Sequence, residues 1–191
     1  MKKNLLLWGT AIVLVLTAIY VTKYYNKDSN SSNTQNASYK SAQGQAVSAS
    51  SDSAGQKAID FTLTDLDGKK VSLSDFKGKN VYINFWATWC PWCVKELPDI
   101  EKVYNEYKDK DLVILAVDLG ESKDTVKSFI NRNNYHFKAL LDSGESVAQA
   151  YNVNSIPVSI FIDKNGNITV KRVGALSAEE MQAYVKQLTG K

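Results

Sequence analysis

The sequence predicts an α/β fold, a sheet covered by helices, and three observations carry that reading. Residues 81–86 and 112–117 are apolar on both faces, as strands buried inside a sheet are. Segments with helical spacing separate them from each other and from a later strand at 137–141. This β-α-β-α-β alternation argues for parallel strands with helices packed over them. Turn signals at Asp67-Gly68 and Asn165-Gly166, each between short strand patterns, add an antiparallel hairpin at either end, so the central sheet is predicted to be mixed.

Two segments precede the fold. Residues 5–21 are an uncharged apolar run between Lys2, Lys3 and Lys23. Its length sits at the lower end of the ~17 to 25 residues of a membrane-spanning helix. A cleaved signal peptide is the competing reading, but no small-x-small pattern precedes Lys23, and no cysteine follows to carry a lipid. Residues 1–25 are therefore read as an uncleaved transmembrane anchor. The large domain behind it favours an N-in, C-out orientation, which places that domain on the extracytoplasmic side of the cell membrane. Residues 26–57 are rich in Ser, Asn, Ala and Gln and hold little that could be buried. They read as a disordered tether with an end-to-end distance of roughly 30 Å. Residues 58–191 form the folded domain.

Charge excludes one class of function. The chain is +3 overall, but residues 1–57 hold six of its 23 Lys and Arg and only two of its 20 Asp and Glu, which leaves the domain at −1. Such a domain is no nucleic-acid binder.

Within the domain, residues 59–63 and 71–73 alternate apolar and polar around Asp67-Gly68 and form the first hairpin. A helix starting near Cys90 places Cys93, Leu97, Ile100, Tyr104 and Tyr107 on one face, with a kink predicted at Pro98. Residues 125–131 read as a helix with Val126, Phe129 and Ile130 inward, and residues 147–151 as a short one. Strand 158–162 turns at Asn165-Gly166 into 168–173. Ser177 and Glu180 then form a capping box that opens a last helix, with Met181, Tyr184, Val185 and Leu188 on its apolar face.

Cys90 and Cys93 are the only cysteines. Two thiols at C-x-x-C spacing on a first helical turn can close and reopen a disulfide with little backbone movement, so the pair is itself the redox group and no further cofactor is expected. Cys90, at the helix start, faces unpaired N–H groups and the positive end of the dipole. These stabilise its thiolate, lower its pKa below the ~8.5 of a free thiol and mark it as the nucleophile. Cys93, one turn in, is the resolving thiol. The alternatives are a static disulfide, a zinc site and a haem attachment. Zinc needs about four ligands, whereas His136 is the only histidine; haem attachment needs a His where Val94 stands. Pro91 suits the first turn, where its missing N–H would have been unpaired. Trp92 reads as an exposed aromatic. His136, with no visible acidic or cysteine partner, reads as a surface or loop histidine.

A strand feeding Trp89-Cys90-x-x-Cys93 on a helix, Ile156-Pro157 before a hairpin, and a closing helix together resemble the thioredoxin superfamily. Within it, Phe61-Thr62-Leu63, Asp67-Gly68-Lys69, Leu73-Ser74-Asp75-Phe76-Lys77-Gly78-Lys79 and Asn84-Phe85-Trp86-Ala87-Thr88-Trp89-Cys90 look like the membrane-anchored TlpA and ResA group. The likeness spans about residues 58–190. The Gly120-Glu121-Ser122 turn and the segment from Phe137 to Asp142 sit where that group carries a central αβ insertion. The resemblance implies a thioredoxin-like fold and an extracytoplasmic thiol:disulfide oxidoreductase. Its client would be an oxidised exported protein such as an apocytochrome c, and a membrane electron carrier would recharge it.

The same resemblance assigns residues. It puts Trp86 and Trp89 beside the disulfide and makes Trp89, Pro91, Trp92, Ile156 and Pro157 the client-binding surface. Pro157 is expected to be cis, with the Ile156 backbone open to a client strand. Thioredoxins carry a buried acid six positions before the first cysteine; here that position is Asn84, which cannot titrate. Glu96, three residues after Cys93, matches the ResA-like pattern and is expected to take over proton management, its pKa raised by partial desolvation. A monomer without metal is expected. Three rivals remain: an oxidant of the same fold, a thiol peroxidase and a metal carrier. The peroxidase pattern Thr-x-x-Cys is missing, since Ala87 lies three residues before Cys90, and a single histidine disfavours the carrier.

Overall fold

Strand β3, Asn80–Trp86, lies inside the sheet because neither of its faces suits water, and all of its residues are buried. Side chains alternate across a strand, so Tyr82 and Trp86 enter one core while Val81, Ile83 and Phe85 enter the other. The other strands are β1 (Thr62–Asp65), β2 (Lys70–Ser72), β4 (Leu112–Leu119), β5 (Lys138–Asp142), β6 (Val158–Ile162) and β7 (Ile168–Val173). They form one sheet in the order β2-β1-β5-β4-β3-β6-β7. Strands β3, β4 and β5 run parallel, and the remaining pairings are antiparallel, so the sheet is mixed.

This computed structural model describes residues 55–190. The predicted anchor, 1–25, and nearly all of the predicted tether lie outside the described residues. Gly55 to Lys57, which the sequence reading placed in the tether, run beside β7. Gly55 N donates to Ile168 O, and Ile168 N to Gln56 O, each at 2.8 Å. Backbone pairing with the sheet is thus present three residues before position 58. Backbone pairing needs no apolar side chain, which is why composition did not reveal it.

Among the described residues, four α-helices cover the sheet: α1 (Pro91–Tyr107), α2 (Lys123–Arg132), α3 (Ser146–Ala150) and α4 (Ala178–Thr189). Helices α1, α2 and α4 pack on the Tyr82 and Trp86 face, burying Leu97, Ile100, Val103, Val126, Met181 and Val185. Phe161 stacks on Tyr82 there with ring centroids 4.5 Å apart. The opposite face is closed by α3, Tyr151 and the β1–β2 hairpin. Helix α1 remains helical through Pro98. Val103, rather than the predicted Tyr104, takes the deep position on its inner face, and Tyr104 is only partly buried.

The ends of β3 and β4 and the start of β6 meet at one edge of the sheet, since Phe85 pairs with Val158 and Trp86 with Asp118. The cysteine pair sits at this edge. Nearby, the buried Asp142 at the end of β5 holds the start of α3, accepting from Val147 N at 3.0 Å and Ala148 N at 2.9 Å. Asp142→Ala leaves both N–H groups without this partner and is expected to lower unfolding free energy by about 2–3 kcal/mol. Urea unfolding measures the loss, and Asp142→Asn should recover most of it.

Candidate active site

The turn from β3 to α1 is closed by Cys90 N donating to Ala87 O at 3.2 Å. Cys90 is the N-cap of α1, and its sulfur accepts the Cys93 N–H at 3.2 Å, one of the donors that a first turn leaves without an intrahelical partner. Cys90 and Cys93 are joined as a disulfide with Cα atoms 5.3 Å apart. Cys93 is fully buried, whereas Cys90 retains 4% exposure, so the outer sulfur is that of Cys90. When the bond opens, the helix start offers a thiolate at Cys90 a hydrogen bond and a favourable dipole.

Of the residues assigned to the client-binding surface, Ile156 lies against that sulfur, and Trp89 and Pro91 flank Cys90 in the chain. The Ile156–Pro157 bond is cis, and Ile156 O lies 3.8 Å from Cys90 Sγ. Pro157 is buried and Ile156 half-buried. Pro91 is exposed, and Trp89 and Trp92 are 67% and 62% exposed, unusual for side chains of that size. Lys95 Nζ sits 5.3 Å from the Trp92 ring, within cation–π range. Trp86 differs from Trp89: it is fully buried and packs against Phe129, centroids 5.5 Å apart, as a core residue.

Glu96 is 2% exposed, on the same side of α1 as Cys93 one turn earlier. Asn84 Nδ2 donates to its Oε1 at 2.7 Å, and Leu176 N to its Oε2 at 2.9 Å. Burial pushes the Glu96 carboxyl up to about 7, although the two donors favour its charged form. Asn84 also donates to Ser159 Oγ at 3.3 Å, and Ser159 Oγ lies 3.0 Å from the Tyr82 hydroxyl. The strand position where thioredoxins hold their acid is therefore occupied by an amide that binds the acid of the helix.

A second pair of acids was not singled out from the sequence. Asp118, at the end of β4, is fully buried, and Glu121 follows in the turn to α2. Glu121 accepts from Thr88 N and from Thr88 Oγ1, both at 2.6 Å. The available signal was an acid closing an otherwise apolar strand. His136 is on the surface, as expected, but it does have an acidic partner. Its Nδ1 lies 2.7 Å from Glu101 Oε1, and its N–H donates to Glu101 Oε2 at 2.9 Å. The two residues are 35 positions apart, beyond the reach of local spacing. Among the described residues, no group of three or more His, Cys, Asp or Glu is placed to hold a metal ion.

A cysteine pair that heads a helix, faces a cis-proline and is followed one turn later by a buried acid, all at the edge of this sheet, defines a thioredoxin-like thiol:disulfide oxidoreductase. Residues 54–171 match the AhpC/TSA family. The chain is 35% identical over 190 residues to the thiol-disulfide oxidoreductase ResA of Bacillus thuringiensis (strain Al Hakam), covering 99% of both chains. It is 39% identical over 134 residues to ResA of Geobacillus kaustophilus, covering 70% of this chain and 77% of that one. Among solved structures it resembles the exposed lipoprotein thioredoxin Etrx1 of Streptococcus pneumoniae, with a TM-score of 0.62 and 33% identity. The match covers 68% of this chain and 100% of the other. StoA of Bacillus subtilis aligns with a TM-score of 0.59 and 27% identity, over 66% of this chain and 96% of that one. The chain belongs to the AhpC/TSA family, within its ResA-like thiol:disulfide oxidoreductases, and its redox group is the Cys90–Cys93 pair.

Glu96 leaves a signature in stability. The folded chain holds its proton to about pH 7, whereas the ordinary value is 4.5. Between those values the folded state binds more protons than the unfolded state, so its stability falls as pH rises through the window. Denaturation of the wild type and of Glu96→Gln from pH 4 to 8 should give profiles that differ by about 3 kcal/mol across that range, with the variant flatter.

Proposed function

We propose that the chain is a membrane-tethered reductant that opens disulfides of exported proteins on the extracytoplasmic side. The observation that carries this reading is the pairing of Cys90, the outer thiol at a helix start, with Cys93, fully buried one turn from Glu96. The Cys90 thiolate attacks one sulfur of a client disulfide, forming a mixed disulfide and releasing one client thiolate. Glu96 accepts the Cys93 proton, and the Cys93 thiolate attacks Cys90 Sγ. The second client thiolate leaves and takes up a proton, and Cys90–Cys93 closes. Two electrons have passed to the client, and a membrane electron carrier returns two to reopen the pair. A carboxyl that titrates near 7 is suited to that transfer, because it gives and takes a proton at neutral pH.

Client binding falls to Trp89, Pro91, Trp92 and the Ile156–Pro157 backbone. Exposed aromatics give contact area without demanding one partner sequence, and a backbone edge pairs with any extended strand. Residues 5–21 support the anchor through their apolar run, and the near-full-length match to ResA supports the same arrangement. An apocytochrome c, whose haem-attaching C-x-x-C-H pair must be reduced before haem can be joined, is the client class that fits a ResA-like reductant.

Cys93→Ser removes the resolving thiol and should strand clients on Cys90. Expressed as the full chain and separated by non-reducing then reducing electrophoresis, it is expected to yield adducts with exported proteins that carry cysteine pairs. Cys90→Ser should yield none. Adducts confined to cytosolic proteins, or the same adducts from both variants, would contradict the proposal.

A further inference from the structure

The turn that delivers Cys90 is pinned from outside the cysteine motif. Thr88 stands two residues before Cys90, inside the turn that Cys90 N closes on Ala87 O. Both its N–H and its hydroxyl go to the two oxygens of one carboxylate, that of Glu121, at 2.6 Å each. Glu121 is held in turn by its own N–H, which donates to Asp118 Oδ1 at 3.3 Å. The other Asp118 oxygen, Oδ2, is buried and accepts no hydrogen bond. Two carboxylates in this position cannot both be comfortably charged, and a single proton between them relieves the repulsion and satisfies the orphaned oxygen.

We propose that Asp118 is a positioning residue that keeps a proton between itself and Glu121, holding Glu121 on Thr88 and thereby fixing Trp89 and Cys90 for attack. Loss of that proton puts two negative charges at the base of the turn and loosens it. Among the described residues, neither carboxylate forms an ion pair with Lys or Arg. Trp86 on β3 and Leu141 on β5 face Asp118 in register and carry no charge. Asp142 is engaged with the start of α3. Glu145 adds a further negative group, its Oε1 lying 3.0 Å from where a Cβ on Gly120 would stand. Burial and the adjacent Glu121 push the Asp118 carboxyl up to about 8, consistent with a retained proton at neutral pH.

The inference does not depend on the direction of electron flow, and its test is run on the full chain in the oxidised state, where neither cysteine titrates. Tryptophan fluorescence reports the turn, since Trp89 follows Thr88 and Trp86 pairs with Asp118 across the strands. A step centred near pH 8 is expected in the wild type, surviving in Glu96→Gln and absent from Asp118→Asn, whose amide holds Glu121 at every pH. In the reduced protein at pH 7, Glu121→Gln, which cannot accept both Thr88 donors, should slow reduction of oxidised glutathione by about tenfold. A step that persists unchanged in Asp118→Asn, or an unaltered rate in Glu121→Gln, overturns the proposal. Should Asp118→Asn fail to fold, the step in Glu121→Gln must move to lower pH, because the like charge is gone; a step that stays in place overturns it equally.

Discussion

The hydrogen bond from Asn84 to Glu96 is the contact on which the arrangement of this domain turns. It ties the central strand to the helix that carries the cysteines, and the other Glu96 oxygen takes the Leu176 N–H just before the last helix. Three separate pieces of chain are thus joined through one carboxyl that water hardly reaches. A buried carboxylate without donors would be costly. With two donors it becomes tolerable in either protonation state, which suits the proton transfer proposed for it. Stability is given up for this: an apolar residue at position 96 would cost the core nothing in pH sensitivity.

The division of labour along the edge of the sheet follows from that contact. The inner cysteine is fully buried one helical turn before the acid, while the outer one caps the helix N-terminus and keeps a trace of exposure. The carbonyl of Ile156 lies beside the outer sulfur, and two exposed tryptophans flank Cys90 in the chain, which suits the client surface proposed for them.

Much of this was legible in the sequence, because most of the determinants are local. Strands 81–86 and 158–162 declare themselves by apolar runs and the last helix by its capping box; the two hairpins follow from turn residues. The cysteine pair needs only its spacing. Glu96 was reached through likeness to the ResA group, since one acid within a helix gives no local sign that it is buried. The Asp118–Glu121–Thr88 contact could not be read at all. It joins residues 33 positions apart through the pairing of β3 with β4, as the His136 contact with Glu101 joins a loop to a helix. Such contacts depend on register and helix placement, which local patterns constrain only loosely.

The central claim, that this pair donates electrons to its clients, is tested most directly by its reduction potential, measured on the full chain in thiol redox buffers with tryptophan fluorescence as the readout. The account predicts a value near or below about −250 mV, in the range of thioredoxin. A value near about −120 mV, that of a strong disulfide-forming oxidant, would contradict it and reverse the direction of exchange.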